Sequence, residues 1–155
     1  MAVLEELPFE AFKFHGFLGK RRVISFGWRY DFTSGRLISA KGMHPFLLAL
    51  RDQAAEFAGV AAADLAHALI TEYAPGAAIG WHRDKAICDV IIGLSLTTPC
   101  QFRFRRKLPN GFERASFIAE PRSIYVMRGA VRSDWEHSIP PVSALRYSIT
   151  FRTLR

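Results

Sequence analysis

The run QFRFRRKLPNGFERASFI, residues 101–118, decides the fold class. Stretches rich in aromatic and hydrophobic residues flank Pro109-Asn110-Gly111, and Asn-Gly in such a setting is the strongest short-range signal for a β-hairpin. We therefore predict strands at Gln101–Arg105 and Ala115–Ile118, joined by a tight turn.

Similar short runs occur on both sides of this hairpin, separated by turn signals such as Ala74-Pro75-Gly76 and Arg128-Gly129. They predict strands at Leu69–Tyr73, Val90–Leu96, Ser123–Met127 and Arg146–Thr153. Many short strands at close intervals are typical of a barrel or a double-sheet jelly roll. We expect an α+β chain with a β-dominated core.

The residues before these strands have a different pattern. Apolar residues recur at helical spacing between Pro45 and Ala58, with Pro in the first turn and Gly59 at the end, which predicts a helix. A second, shorter helix is predicted over Ala61–Ala68. The aromatic and basic segment Phe9–Phe32 predicts a hairpin or an extended cover. No repeat or linker interrupts the chain, so 1–155 is expected to form one domain.

Composition restricts the class of protein. Half of the 155 residues are hydrophobic, which suits one globular domain. The 21 Lys and Arg residues exceed the 14 acids, and the net charge of +7 favours a nucleic acid over an acidic protein as partner, although many domains are basic for solubility alone. The two cysteines are not in a CxxC pair, and no apolar run is long enough to cross a bilayer. We expect a cytoplasmic monomer without a membrane partner.

The segment Ile79–Asp84 carries a candidate metal site. In an extended chain, His82 and Asp84 are two residues apart and project from the same face. His137 is a candidate third ligand. Two His and one carboxylate leave three coordination positions open, as in non-heme iron(II) oxygenases. Alone, the HxD pattern is a weak signal, because a His on a strand is more often only a hydrogen-bonded polar residue.

The last predicted strand carries two arginines at an even spacing. Arg146 and Arg152 are six residues apart, so both point to one face. If that face meets the metal, an Arg fork can bind the distal carboxylate of 2-oxoglutarate while the keto acid end chelates the metal. The alternative is that both arginines are exposed and that Tyr147, Ile149 and Phe151 fill the core.

Three ordered segments are similar to the motifs of the AlkB family of iron(II) and 2-oxoglutarate dependent dioxygenases: TEYAPG (71–76), HRDK (82–85) and RYSITFR (146–152). The resemblance implies a double-stranded β-helix (jelly-roll, cupin-like) core at 69–155. It also implies supporting N-terminal helices and a lid-like nucleotide-recognition hairpin at about 9–40. The N-terminal part is shorter than expected for a full member, which suggests a truncated chain.

The resemblance also implies roles for individual residues. His82, Asp84 and His137 would be the catalytic iron(II) ligands. Arg146 would bind the distal carboxylate of 2-oxoglutarate, and Arg152 would lie beside the metal-proximal carboxylate.

Two further cosubstrate contacts follow from the same motifs, and two positions depart from them. Tyr73 would donate its hydroxyl to 2-oxoglutarate. Thr71 stands where the family has a cosubstrate-binding Asn, so one hydrogen bond is expected to be lost or rearranged. Ala86 stands where some members have an acid that contacts the substrate base, so base specificity does not carry over.

The stretch from Arg21 to Tyr30 resembles the family's nucleotide-recognition hairpin. Arg22 is predicted to contact phosphates, and Trp28 or Tyr30 to stack on a flipped base. The alternative is that these aromatic residues pack the barrel rim. A second basic cluster lies near the Asn110-Gly111 turn and consists of Arg103, Arg105, Arg106 and Lys107. It either lines a nucleic-acid groove or is a solvated hairpin tip.

Several residues near the motifs have no predicted chemical role. Trp81 and Trp135 are interpreted as packing residues that face away from the metal. His15, His44 and His67 are interpreted as surface or core polar residues.

The function implied by the resemblance is oxidative dealkylation. A dioxygenase with iron(II), 2-oxoglutarate and O2 would remove an N-alkyl group from a base in DNA or RNA, releasing succinate, CO2 and an aldehyde. One alternative is the same oxygenase chemistry on a protein or another substrate that is not a nucleic acid. A second alternative is a non-catalytic nucleic-acid-binding barrel.

Overall fold

The computed structural model describes residues 1–14, 17–31, 33–39 and 42–155, with the backbone alone for 11–14, 17–19, 29, 30, 37 and 38. The helices are α1 (Ala2–Glu5), α2 (Pro45–Ala58) and α3 (Ala130–Ser133). The strands are β1 (Glu10–Phe14), β2 (Phe17–Asp31), β3 (Arg36–Ser39), β4 (His67–Tyr73), β5 (Ile79–His82), β6 (Cys88–Ser95), β7 (Cys100–Leu108), β8 (Gly111–Ala119), β9 (Ser123–Met127), β10 (Glu136–Ile139) and β11 (Arg146–Leu154). In these ranges, no helix has the length and apolar character that a bilayer span requires.

The strands form two antiparallel sheets. The major sheet has the order β1-β2-β4-β11-β6-β9, with β3 paired to β2, and the minor sheet has the order β5-β10-β7-β8. Several neighbouring strands, such as β4 and β11 or β7 and β10, come from distant parts of the chain, as in a jelly roll. This architecture confirms the expected double-stranded β-helix core.

The helix predicted at 45–58 is confirmed with the same bounds. His44 caps its start, because the ring Nδ1 accepts a hydrogen bond from the backbone N–H of Phe46. Gly59 ends it with φ of 68°, a left-handed conformation that favours glycine. The apolar side of α2 packs on the outer face of the major sheet and forms a core that includes Leu47, Ile70 and Phe151.

A second apolar cluster lies between the two sheets. It contains Tyr73, Ile91, Phe102, Met127 and Ile139, all buried. Side chains on a strand alternate between its two faces, so the residues of the major sheet that point away from α2 face the space between the two sheets. This geometry places the even-numbered residues of β11 on the side opposite to α2.

The predicted helix at Ala61–Ala68 is wrong. Only a single 3₁₀ turn forms, at Ala62–Asp64, and β4 begins at His67. His67 and Ala68 pair with Arg152 and Phe151, so the sheet backbone satisfies their hydrogen bonds and the local helical pattern is overridden. The hairpin at Asn110-Gly111 is confirmed, and its strands are longer than predicted.

The N-terminal cover is a set of strands, as predicted. β2 pairs with β4 as far as Gly27 and then with β3. Gly27 has φ of 79°, and a Cβ atom there would lie 2.0 Å from the carbonyl oxygen of Ala66. Glycine is therefore required where the pairing of β2 changes from β4 to β3. His15 lies outside the described residues.

Candidate metal centre and cosubstrate pocket

The pairing of β5 with β10 brings two histidines together. His82 and His137 are direct partners in this ladder, and their ring centroids are 4.3 Å apart. Asp84 follows β5 by two residues. One ligand atom from each of the three side chains lies within 4.8 Å of the others. The predicted convergence of these residues is confirmed.

Hydrogen bonds orient the three side chains. His82 donates its Nδ1 hydrogen to the carbonyl oxygen of Gly80 at 2.8 Å, which leaves Nε2 directed at Asp84 Oδ1, 3.2 Å away. His137 Nε2 lies 3.5 Å from the same oxygen, and its ring stacks on Phe102. Two imidazole nitrogens and one carboxylate oxygen make up the facial ligand set of non-heme iron(II) sites.

The electrostatic environment keeps these groups in the forms that bind a cation. Burial alone would raise the pKa of the Asp84 carboxyl, but the side-chain contact with His82 and the charges of Arg152 and His137 hold it well below its usual range. Burial lowers the pKa of His137 to about 4, although the charge of Asp84 opposes this shift. At neutral pH the carboxylate is therefore ionised and the His137 imidazole is neutral, as metal binding requires.

Arg146 is a buried cation beside this centre. Its residue is fully buried, Nη2 donates to Ser95 Oγ at 3.2 Å, and the guanidinium carbon lies 4.8 Å from the centroid of the Tyr73 ring. Nε and Nη1 are also buried and have no hydrogen-bond partner in the described part of the chain. A buried charge without a counter-charge is costly, so this guanidinium is suited to an anionic ligand such as the distal carboxylate of 2-oxoglutarate. The alternative in which both arginines of β11 are exposed is wrong.

Arg152 contacts one of the candidate metal ligands, Asp84, directly. Its Nη2 lies 3.3 Å from Asp84 Oδ2, and Nη1 donates to Thr150 Oγ1 at 2.8 Å. Nη1 also lies 3.4 Å from His67 Nδ1. Arg146 and Arg152 therefore share the inner face of β11, as the even spacing predicted.

His67 is an inward-facing residue that the sequence analysis assigned no role. Burial, and next the positive charge of Arg152, lower its pKa to about 3, while the charge of Asp84 acts in the opposite direction. The imidazole is therefore neutral at physiological pH and can accept a hydrogen bond from Arg152. The contact between His67 and Arg152 follows from the pairing of β4 with β11, and the sequence around His67 does not indicate it.

The two motif residues of β4 lie on the same inner face. Tyr73 pairs with Arg146 and Thr71 with Ser148, and both are buried. Tyr125, which was not predicted, also faces this space, because a Cβ atom on Gly93 would lie 2.1 Å from its ring. Burial raises the pKa of Tyr125 well above its usual range.

The structure brings Arg21 to the site, whereas the prediction named Arg22. Burial lowers the pKa of Arg21, while a hydrogen bond with Tyr73 and the charges of Tyr73 and Asp84 act to raise it. Arg22 is on the opposite, α2-packed face, where Nε and Nη2 donate to the Glu72 carboxylate at 2.6 and 2.8 Å. The odd-numbered residues of β2 face the candidate metal ligands, because the pairing of β2 with β4 fixes which residues point inward.

The predicted base-stacking residues lie beyond Gly27 in the β2–β3 hairpin. Trp28 is 44% exposed, and the side chain of Tyr30 lies outside the described residues. Their contact with substrate, like that of Arg22, stays a prediction.

The two tryptophans beside the ligand segments differ. Trp81 faces away from the metal, with the guanidinium carbon of Arg105 4.5 Å from its ring centroid, which confirms the prediction. The prediction was wrong for Trp135, whose ring lies under Arg106 on the hairpin face that also carries Phe104. Trp135 is two residues from His137, an even spacing that favours the same face.

Comparisons with known proteins agree with this geometry. The sequence profile of the 2OG-Fe(II) oxygenase superfamily matches residues 15–152. The chain is 30% identical over 125 residues to bovine alpha-ketoglutarate-dependent dioxygenase alkB homolog 3, covering 72% of this chain and 43% of that protein. It is 28% identical over 147 residues to the Arabidopsis thaliana alkylated DNA repair protein ALKBH8 homolog, covering 79% of this chain and 42% of that protein.

One viral relative and one solved structure extend these similarities. Uncharacterized protein L905 of Acanthamoeba polyphaga mimivirus is 32% identical over 99 residues, covering 56% of this chain and 47% of that protein. The chain thus spans less than half the length of these curated relatives. The structure of OsALKBH1 matches with a TM-score of 0.65 and 12% identity over 94% of this chain and 83% of that one, which supports the fold.

Proposed function

The chain belongs to the 2OG-Fe(II) oxygenase superfamily, as an AlkB-like member, and from this premise we propose that it oxidatively removes an alkyl group from an N-alkylated base in nucleic acid. Members of this superfamily are dioxygenases that use Fe(II), 2-oxoglutarate and O2. The observation that carries the dioxygenase assignment here is the His82, Asp84 and His137 cluster beside the buried Arg146 guanidinium, two of whose nitrogens have no hydrogen-bond partner in the described residues.

The donor atoms fit this cofactor set. His82, Asp84 and His137 would hold iron(II), which when bound activates O2 with the oxidative decarboxylation of 2-oxoglutarate to succinate and CO2. Arg146, whose guanidinium carbon lies 4.8 Å from the centroid of the Tyr73 ring, would bind the distal carboxylate. Arg152 holds Asp84 in place and keeps positive charge next to the metal-proximal carboxylate. The side chains of His137, Asp84 and Arg152 are largely shielded from solvent, which helps to hold the reacting groups in a fixed geometry.

The proposed reaction balances with one molecule of each reactant. One oxygen atom of O2 enters succinate, and the other is inserted into a C–H bond of the N-alkyl carbon. The hydroxylated carbon then breaks its bond to nitrogen, which regains a proton, and leaves as an aldehyde. Because the alkylated atom is inside the base stack of a duplex, the base must be unstacked or single-stranded to reach the metal.

Three observations support nucleic acid as the substrate. The net charge of +7 favours a polyanion. The relatives include an alkB homolog and an alkylated DNA repair protein, and this chain is similar to both over more than 70% of its length. Arg21, on the inner face near Asp84, adds positive charge at the substrate side of the site.

The test is succinate formation by protein loaded with iron(II) in the absence of oxygen, then exposed to 2-oxoglutarate and air with or without a methylated single-stranded oligonucleotide. We expect succinate together with the loss of the methyl mass from the oligonucleotide. Asp84→Asn should abolish both. Asp89→Asn, which changes an exposed carboxylate paired with Arg155, is the matched control and should keep both.

The outcomes separate the two parts of the proposal. Succinate without any change in the oligonucleotide would retain the oxygenase and direct the search to protein or another substrate. Oligonucleotide binding without iron-dependent succinate would indicate a non-catalytic binding barrel. Full activity of Asp84→Asn would overturn the metal site.

A further inference from the structure

The outer face of the minor sheet carries a row of cations. Arg103, Arg105 and Lys107 alternate along β7 and share one face, and Arg114 of β8 is the direct partner of Arg105. We call these four residues the basic face. Since side chains two apart on a strand are separated by about 6.8 Å, the three cations of β7 span roughly 14 Å. A row of this length suits a chain of anions better than a single small anion.

The basic face has little counter-charge. Among the residues of β5, β7, β8 and β10 that point to this side, all of them in the described part of the chain, only Glu136 is acidic, and it accepts from Arg105 Nε at 2.6 Å. Neither Arg114 nor Lys107 forms an ion pair with any described residue. Because Glu136 pairs with Arg105, the cation left without a counter-charge in the Arg105–Arg114 pair is Arg114, and an anion bound beside it would neutralise it.

Aromatic rings accompany the cations. The guanidinium carbons of Arg103 and Arg105 lie 5.2 and 4.5 Å from the Trp81 ring centroid. The Phe112 ring, 42% exposed, lies 4.6 Å from the guanidinium carbon of Arg105. A groove of about 430 Å³ runs between Trp81 and Arg114. Cations interleaved with aromatic surfaces are typical of proteins that bind single-stranded nucleic acid through phosphates and base stacking.

The position of this face relates it to the metal. Phe104, which lies between Arg103 and Arg105 in sequence, is the ladder partner of His137, so the basic face is the reverse side of the strands that carry the metal ligands. We propose that it binds the phosphate backbone of a single-stranded nucleic acid outside the nucleotide whose base enters the metal site. This inference rests on the proposed function, and it names a second surface for the same substrate.

The test is the salt dependence of binding to a single-stranded oligonucleotide of about 15 nucleotides, long enough to reach beyond the site. Each phosphate contact in a single strand contributes ~0.7 to the slope of log K against log salt, so Arg114→Gln should reduce that slope by about 0.7 and weaken binding roughly fivefold at ~0.1 M salt. The Lys107→Gln, Arg114→Gln double variant should lose about twice that slope. Arg122→Gln removes one exposed cation at the start of β9, and is the matched control that should behave as wild type.

Each outcome decides one point. Wild-type slopes in both basic-face variants, with binding intact, would overturn this inference and leave the proposed function standing. No salt-dependent binding by the wild type would overturn this inference together with the nucleic-acid part of the proposed function. Weaker binding of poly-glutamate by the variants, with oligonucleotide binding unchanged, would overturn it by assigning the face to an acidic protein.

Discussion

Replacement of Arg146 by Met tests the cosubstrate pocket most directly. Truncating one partner of a buried, hydrogen-bonded charge pair costs about 2–5 kcal/mol, which corresponds to a roughly 30- to 4000-fold rise in the 2-oxoglutarate Kd. In the absence of 2-oxoglutarate, the same substitution should stabilise the folded protein. The guanidinium has two buried nitrogens without a partner among the described residues, and removing such a group relieves a desolvation cost of about 1–3 kcal/mol.

The assay is the thermal midpoint of iron-loaded protein without oxygen, with and without 2-oxoglutarate. At a ligand concentration of ~100 Kd the wild type gains about 2.7 kcal/mol, which is roughly 5–10 °C for a domain of this size. With a Kd at least 30-fold higher, Arg146→Met should gain less than about 3 °C at the same concentration. Without 2-oxoglutarate its midpoint should equal or exceed that of the wild type. Arg122→Met, an exposed arginine, is the control for the loss of a charge.

Two results would refute this reasoning. A full wild-type shift with 2-oxoglutarate in Arg146→Met would show that Arg146 does not bind the cosubstrate. A ligand-free variant destabilised by more than about 1 kcal/mol would show that Arg146 acts mainly through Ser95 and Tyr73 as a structural residue.

Three further predictions concern residues of the inner face and one ion pair on the outer face of the major sheet. His67→Phe removes an acceptor for the Arg152 guanidinium, and the 2-oxoglutarate KM in steady-state succinate formation should rise about two- to twelvefold, the value of one hydrogen bond; an unchanged KM would contradict this role. Gly93→Ala would place a Cβ atom 2.1 Å from the Tyr125 ring and should lower the free energy of unfolding by about 1–3 kcal/mol in urea titrations. Adding Tyr125→Ala should recover part of that loss, and strictly additive effects would argue against the clash. The hydrogen bond from Arg22 lowers the pKa of Glu72 below 4.5, so its contribution is present above that pH and is lost as the pH falls through the folded-state pKa. The difference in unfolding free energy between wild type and Glu72→Gln should therefore shrink in acid, and a difference independent of pH would count against this linkage.

The parity of spacing explains why the sequence identified most of the site. Side chains on a strand alternate with a period of two, so the HxD pair and the two arginines six residues apart had to share a face if their segments were strands. Local turn chemistry similarly predicted the hairpin at Asn110-Gly111, and the Pro and Gly signals predicted the bounds of α2. These properties depend only on residues close together in the chain, so they can be predicted from the sequence alone.

The pairing of distant strands decided the rest. His67 and Ala68 lie in a segment with a helical pattern, but hydrogen bonds with β11 make them a strand and bring His67 to Arg152. The choice between Arg21 and Arg22 depends on the register of β2 on β4, and a shift of one residue would exchange their faces. The sequence by itself thus determined which residues alternate together, because that follows from backbone geometry. Only the tertiary structure decided which alternating set faces the metal, because that depends on contacts between segments far apart in the chain.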